Sequence, residues 1–130
     1  VNTVEELNRA FQYRLDGNLD HWTILKPDSN GIVRGDCEDY ALTVLFLLCN
    51  KSMFRFWIAL IFGNAKIHYG KVNGRGHAIL EYQGRYIDNI TRKWCGTTGI
   101  CRSGFKFKPW QFFWFQVAIK MLVAKLVRQK

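Results

Sequence analysis

The sequence predicts a single α+β domain with helices near its N-terminus, a small antiparallel hairpin and a basic helix at its C-terminal end. Three observations lead to this. Val4, Leu7, Phe11 and Leu15 recur at helical intervals, apolar segments flank the turn dipeptide Gln83-Gly84, and Phe112, Phe115, Ile119, Leu122 and Leu126 fall on one helical stripe. The chain has 130 residues, the size of one domain, read as 1–130 with 92–130 as a basic, aromatic extension. Hydrophobic residues make up 48% of it, enough for a packed core, which excludes a disordered chain. The longest apolar run, Phe112 to Val127, is broken by Gln116, Lys120 and Lys125 and falls short of a membrane-spanning helix, which needs about 18 uncharged residues.

In chain order, Thr3 followed by Glu6 has capping-box spacing and opens a first helix of about three turns. Residues 16–31 hold Gly17, Pro27, Asp28, Ser29, Asn30 and Gly31 and read as a loop with turns. Asp36, with Asp39 three residues on, caps a second helix whose apolar body runs from Ala41 to Cys49 and stops at Asn50; Cys37 falls in its first turn. Phe54 to Phe62, aromatic and β-branched, reads as a strand, and Gly63 to Gly76 as a loop. His77 to Tyr82 and Arg85 to Ile90 form a hairpin about Gln83-Gly84. Cys95 to Ser103 is a loop and Trp110 to Lys130 a final helix.

Chemistry concentrates at three positions. A helix N-terminus favours a thiolate through its free amides and dipole, and the same amides can stabilise an oxyanion, so Cys37 is placed as a nucleophile whereas Cys49 lies at the wrong end of the same helix. Cys37 alone would equally suit a small buried helix residue. The carboxylates of Asp36, Glu38 and Asp39 oppose thiol ionisation unless they cap, bind a cation or point away. With a two-residue turn at Gln83-Gly84, Tyr82 opposes Arg85, Leu80 opposes Ile87 and Ile79 opposes Asp88. His77 and Asp88 then become diagonal neighbours on one face, close enough for the carboxylate to orient the imidazole. A one-residue slip would part them. His21 and His68 sit in predicted loops without an acidic residue at hairpin spacing and read as structural or exposed.

Gly35-Asp36-Cys37-Glu38-Asp39-Tyr40-Ala41, Gly76-His77-Ala78-Ile79-Leu80 and Tyr86-Ile87-Asp88-Asn89-Ile90 together resemble the three motifs of the bacterial transglutaminase-like cysteine peptidases, a family that includes periplasmic proteases releasing surface adhesins. Phe11, Tyr13 and Asp16, with Asp20-His21-Trp22, extend the likeness to roughly residues 5–91. The resemblance implies a papain-like core, with the cysteine-bearing helix packed on the sheet that carries His77 and Asp88. It also implies acyl transfer: Cys37 attacks an amide carbonyl, His77 protonates the leaving amine, and water hydrolyses the thioester. In the adhesin-cleaving branch the positions of Asp36 and Glu38 take part in calcium binding, against a reading of them as a helix cap and a solvated face, and Trp22 is the candidate for an indole oxyanion donor, against packing in the core. The family setting points to the periplasm, the cell envelope or a bacteriophage. The His-to-Asp gap of 11 residues is short, and the C-terminal segment has no counterpart in the family, which suggests a compact variant of the kind bacteriophages also encode.

The net charge of +9 is one-sided: residues 1–91 hold ten basic and ten acidic side chains, residues 92–130 nine basic and none acidic. Such a field attracts polyanions. The main expectation is therefore a cysteine peptidase or amidase acting on a protein or a peptidoglycan peptide, with 92–130 favouring an anionic surface. Its rivals are a non-catalytic basic module gripping nucleic acid or anionic membrane, and a transglutaminase passing the acyl group to an amine. In the last helix Phe113, Val117 and Met121 intrude on the basic side, which favours packing on the core or a partner over membrane insertion. Cys95 and Cys101 are spaced to close a short disulfide loop, and no histidine or second cysteine pair stands at zinc-ligand spacing.

Overall fold

The computed structural model describes residues 2–13, 22–72, 75–90, 92–96 and 105–128. It is a mixed α and β arrangement. Thr3 starts α1 (Val4–Ala10) by accepting from the amide of Glu6, while the Glu6 carboxylate accepts from Asn2 N–H. The helix ends sooner than its periodicity suggests, because Phe11 turns extended and opens β1 (Phe11–Tyr13). Leu15 lies outside the described residues. β1 pairs in parallel with β2 (Val33–Gly35), Phe11 opposite Val33 and Tyr13 opposite Gly35, and β2 delivers the chain straight into α2 (Cys37–Leu48).

α2 is the central element, buried on nearly every side from Cys37 to Leu47, as expected of a helix apolar all round. It ends where Asn50 and Lys51 take left-handed φ values of 56° and 60°. Ser52 then caps α3 (Met53–Ile61) by accepting from Arg55 N–H. The predicted strand at 54–62 is thus a helix: Phe, Trp and Ile favour strands, but the Ser52 cap and burial at Phe56, Ala59 and Leu60, three and four residues apart, fix the helical period.

The predicted loop at 63–76 is mostly strand. β3 (Ala65–Val72) and β4 (Arg75–Tyr82) pair antiparallel from Ala65↔Tyr82 to Val72↔Arg75, and the glycines at 63, 70 and 76 obscure the alternation Ala65, Ile67, Tyr69 in the sequence. The Gln83-Gly84 turn has φ values of 51° and 81°, which suit a two-residue hairpin, and carries the chain into β5 (Arg85–Ile87). The register is the expected one, Tyr82↔Arg85 and Leu80↔Ile87, but β5 stops at Ile87 rather than Ile90. β6 (Phe105–Phe112) completes a sheet ordered β5-β4-β3-β6 and occupies residues expected to begin the last helix, which starts later, as α4 (Trp114–Arg128). Ile67, Ala78, Leu80 and Ile87 join the core cluster that α2 fills, and α2 packs on β4.

α4 packs through a different face from the apolar stripe its sequence displays. Val117 and Ala124 are buried and Met121 is half-buried, whereas Phe115, Ile119, Leu122 and Leu126 are exposed by 49%, 59%, 57% and 52%. Cys37, Cys49 and Cys95 are free thiols. Cys101 and the rest of the predicted loop at 97–103 lie outside the described residues, as does His21.

Candidate active site

Local chemistry fixes the start of α2. The Asp36 carboxylate accepts from Asp39 N–H at 3.0 Å and the Asp39 carboxylate lies 3.5 Å from Asp36 N, a reciprocal capping box. Asp39 also accepts from Thr23 N–H at 2.9 Å, and Thr43 Oγ1, which donates to Asp39 O, accepts from Leu25 N–H at 2.9 Å. These bonds strap Thr23 and Leu25 to α2. Sequence reading assigned Asp39 a cap alone; Thr43, the one polar residue in the apolar run, was the available sign of a second anchor. Gly35 lies in close quarters: a Cβ there would lie 2.6 Å from Leu25 Cδ1, which would have to shift, and 3.0 Å from Asp39 Cβ.

Cys37 therefore sits at the first helical position of α2, and its sulfur accepts from Ala78 N–H at 3.4 Å. β5 ends its pairing with β4 at Leu80↔Ile87, so the thiol takes a bond from the edge of β4 just past that point. Ala78 follows His77, and His77 Nε2 lies 2.9 Å from Asp88 Oδ2, both side chains buried. Of the three side chains singled out from sequence, His77 and Asp88 are brought together, while Cys37 Sγ meets the backbone of β4 one residue on, at Ala78.

Asp88 is held by residues that the sequence did not flag. Arg92 N–H donates to Asp88 O at 2.9 Å, and the Arg92 guanidinium donates to Asn89 O and Asn8 O, each at 2.9 Å. Asn8 Nδ2 returns a bond to Arg92 O at 3.0 Å, and Tyr40 of α2 donates its hydroxyl to Asn8 Oδ1. Arg92 adopts φ 54°, a left-handed conformation that costs about 1 kcal/mol for a residue with a side chain. These bonds and the Phe11 ring under its guanidinium, 5.2 Å away, hold it there. Asp88 is thereby tied to α1 and α2.

The electrostatics differ from those of a preformed thiolate. Burial pushes the Cys37 thiol far up from its ordinary range, the Glu38 charge adds to that, the Ala78 N–H opposes it and the Asp36 charge raises it further. Burial, then the charges of Glu38 and Asp39, raise Asp36 to about 9.

Two further expectations concern Trp22 and calcium. Trp22 is buried beside the first turn of α2, through the Thr23 bond to Asp39, with the Lys120 ammonium 5.2 Å from its ring centre. That is a core position with a cation over the ring face. For calcium, Asp36 is committed to the cap and Asp39 to Thr23 and Asp36, and no group of three or more His, Cys, Asp or Glu side chains able to hold a metal occurs among the described residues. Asp36 and Glu38 alone do not fit an ion that takes about six to eight oxygens.

His68 departs from its expected place in a loop. It lies on β3, diagonal to Glu81, with Nε2 2.8 Å from Glu81 Oε1 and the Tyr86 ring 6.1 Å away. No protein-family model matches the chain, and no curated protein matches it.

Proposed function

We propose that this chain is a cysteine hydrolase of papain-like, transglutaminase-like architecture, cleaving an amide bond in a protein or a peptidoglycan peptide. The observation that carries the reading is the meeting of Cys37 Sγ with the amide that follows His77, while His77 itself is paired to Asp88 at 2.9 Å. Because Asp88 takes Nε2, Nδ1 is the nitrogen that serves the sulfur. With the thiol protonated at rest, His77 acts as general base during the attack rather than as partner of a standing thiolate. The thiol proton passes to Nδ1 as the S–C bond forms. The imidazolium then gives that proton to the leaving nitrogen as the C–N bond breaks. Water, deprotonated by His77, opens the thioester, releases the acid and restores the thiol. Asp88 holds the imidazole in one orientation throughout and offsets the charge it acquires.

The amides of Cys37 and Glu38 begin α2, where N–H groups have no intrahelical acceptor, and they are the donors best placed for the oxyanion. No step runs through calcium. Transfer of the acyl group to an amine would use the same thioester, and adding a primary amine to the assay separates the two outcomes.

The test is a panel of unfolded protein and peptidoglycan stem peptides incubated with the chain, with Cys37→Ala as control, scored by mass for new termini. Cleavage by the wild type that is absent from Cys37→Ala is expected. Equal product from both proteins would overturn the assignment of Cys37 as nucleophile.

A further inference from the structure

The exposed apolar surface is concentrated on two neighbouring helices. Met53, Phe54, Ile61 and Phe62 belong to α3 and its end, and Phe113 to Leu126 to α4 and its start; apart from these, only Tyr13 and Ile90 are large, apolar and exposed among the described residues. α3 and α4 are in contact. At about 100° per residue, Phe115, Ile119, Leu122 and Leu126 form the line opposite the buried Val117 and Ala124. On α3, Phe54 and Ile61, seven residues apart, lie opposite the buried Phe56, Ala59 and Leu60. Each helix is thus apolar toward the core and apolar again on its far side. Exposed apolar lines on two helices in contact offer more than the single seam that a helical partner needs, and exposed apolar surface of this kind marks interaction sites.

Charge selects the occupant. No acidic residue occurs between Tyr40 and Leu80, a stretch that contains α3 with Lys51, Arg55 and Lys66, and none between Asn89 and Lys130, which contains α4 with Lys125. Two copies joined through this face would bring like charges together with no acidic group on either helix to offset them. Nucleic acid would use the cations and leave the Leu and Ile line in water. An anionic lipid surface satisfies both parts: apolar side chains enter the acyl boundary while lysines and arginines meet the headgroups. The aromatic cluster Phe113, Trp114 and Phe115 at the start of α4 is the composition found at membrane interfaces. Among the described residues no single helix is long and apolar enough to cross a membrane, so the mode of binding that suits α4 is to lie along the surface.

We propose that α3 and α4 form a docking face for an anionic lipid bilayer, with Phe54, Ile61, Phe115, Ile119, Leu122 and Leu126 entering it. The proposal is independent of the hydrolase reading and stands whether or not Cys37 reacts.

The test is flotation of the full chain with vesicles of phosphatidylcholine alone and with vesicles containing about one third phosphatidylglycerol. Preferential partition into the anionic vesicles by about tenfold or more, falling as salt is raised, is expected. Ile119→Asn with Leu122→Asn should weaken it about tenfold without changing the melting temperature, since both side chains are already exposed. Phe54→Ser, on the other helix, should weaken it as well, and it supplies the answer if the double variant folds poorly. Equal partition into both vesicle types, or none into either, would overturn the proposal. So would a lipid-free dimer that the same substitutions dissociate, or duplex DNA binding lost in them, since these would assign the face to a second copy or to nucleic acid.

Discussion

The sheet carries two histidine–carboxylate pairs on one face, and only one of them adjoins a backbone amide that bonds a thiol. His77 pairs with Asp88 and His68 with Glu81, at 2.9 and 2.8 Å, each a diagonal contact between adjacent strand segments. The buried Ile79 separates them: His68 lies directly opposite it on β3, and the β4–β5 register continued by one residue sets Asp88 opposite it on the other side. The pairs differ in their surroundings. The side chains of His77 and Asp88 are 7% and 3% exposed, and the amide of the next residue, Ala78, bonds Cys37 at the start of α2, whereas the side chains of His68 and Glu81 are 17% and 21% exposed. A histidine held by a carboxylate is therefore common geometry here; the thiol and the helix terminus beside it make one pair a candidate for catalysis.

The largest expected effect separates the pairs directly. His77→Ala should lower amide hydrolysis by about a hundredfold or more, the usual contribution of a general base, while His68→Ala leaves it within about twofold. Comparable losses from both would dissolve the distinction. Next, Asp88→Asn should cost about tenfold or more in turnover through misorientation of the imidazole, with Glu81→Gln nearly silent, both read from kcat.

Smaller effects sharpen the electrostatic contrast, since only the Cys37 site has carboxylates crowding a thiol. After burial, the Glu38 charge is the largest influence raising Cys37, so Glu38→Gln should speed alkylation of Cys37 by about threefold, measured by mass. Slower alkylation would mean that Glu38 aids the thiol instead. The smallest effect concerns stability. Asp36 is raised from 3.8 to about 9 in the folded chain, so between those values the native state binds the extra proton and stability falls as pH rises. Asparagine caps a helix about as well as aspartate, so Asp36→Asn should flatten that decline and stabilise the protein by about 1 kcal/mol near pH 8. Parallel stability–pH curves for the two proteins would contradict it.

The site was more legible in the sequence than the scaffold that completes it. Asp36, Cys37 and Asp39 announce a capped helix through local spacing, and the Gln83-Gly84 turn sets the register that brings Asp88 to His77. α3 was not legible because Phe54, Phe56, Trp57 and Ile58 favour strands, and only the Ser52 cap and the core behind Phe56 decide otherwise. β3 was hidden by glycines, and with it the partner of His68. The anchors Asn8 and Arg92 act 84 residues apart, a separation at which no local pattern reports contact. In α4 the apolar stripe is plain in the sequence, but its direction, away from the core, belongs to the tertiary structure alone.

The most direct test is the rate at which limiting iodoacetamide modifies Cys37, mapped by mass in the wild type, His77→Ala and His68→Ala. Modification of Cys37 should slow by about tenfold or more in His77→Ala alone, with Cys95 labelled equally in all three. Labelling of Cys37 at one rate in all three proteins would contradict the joining of this thiol and this imidazole into one site.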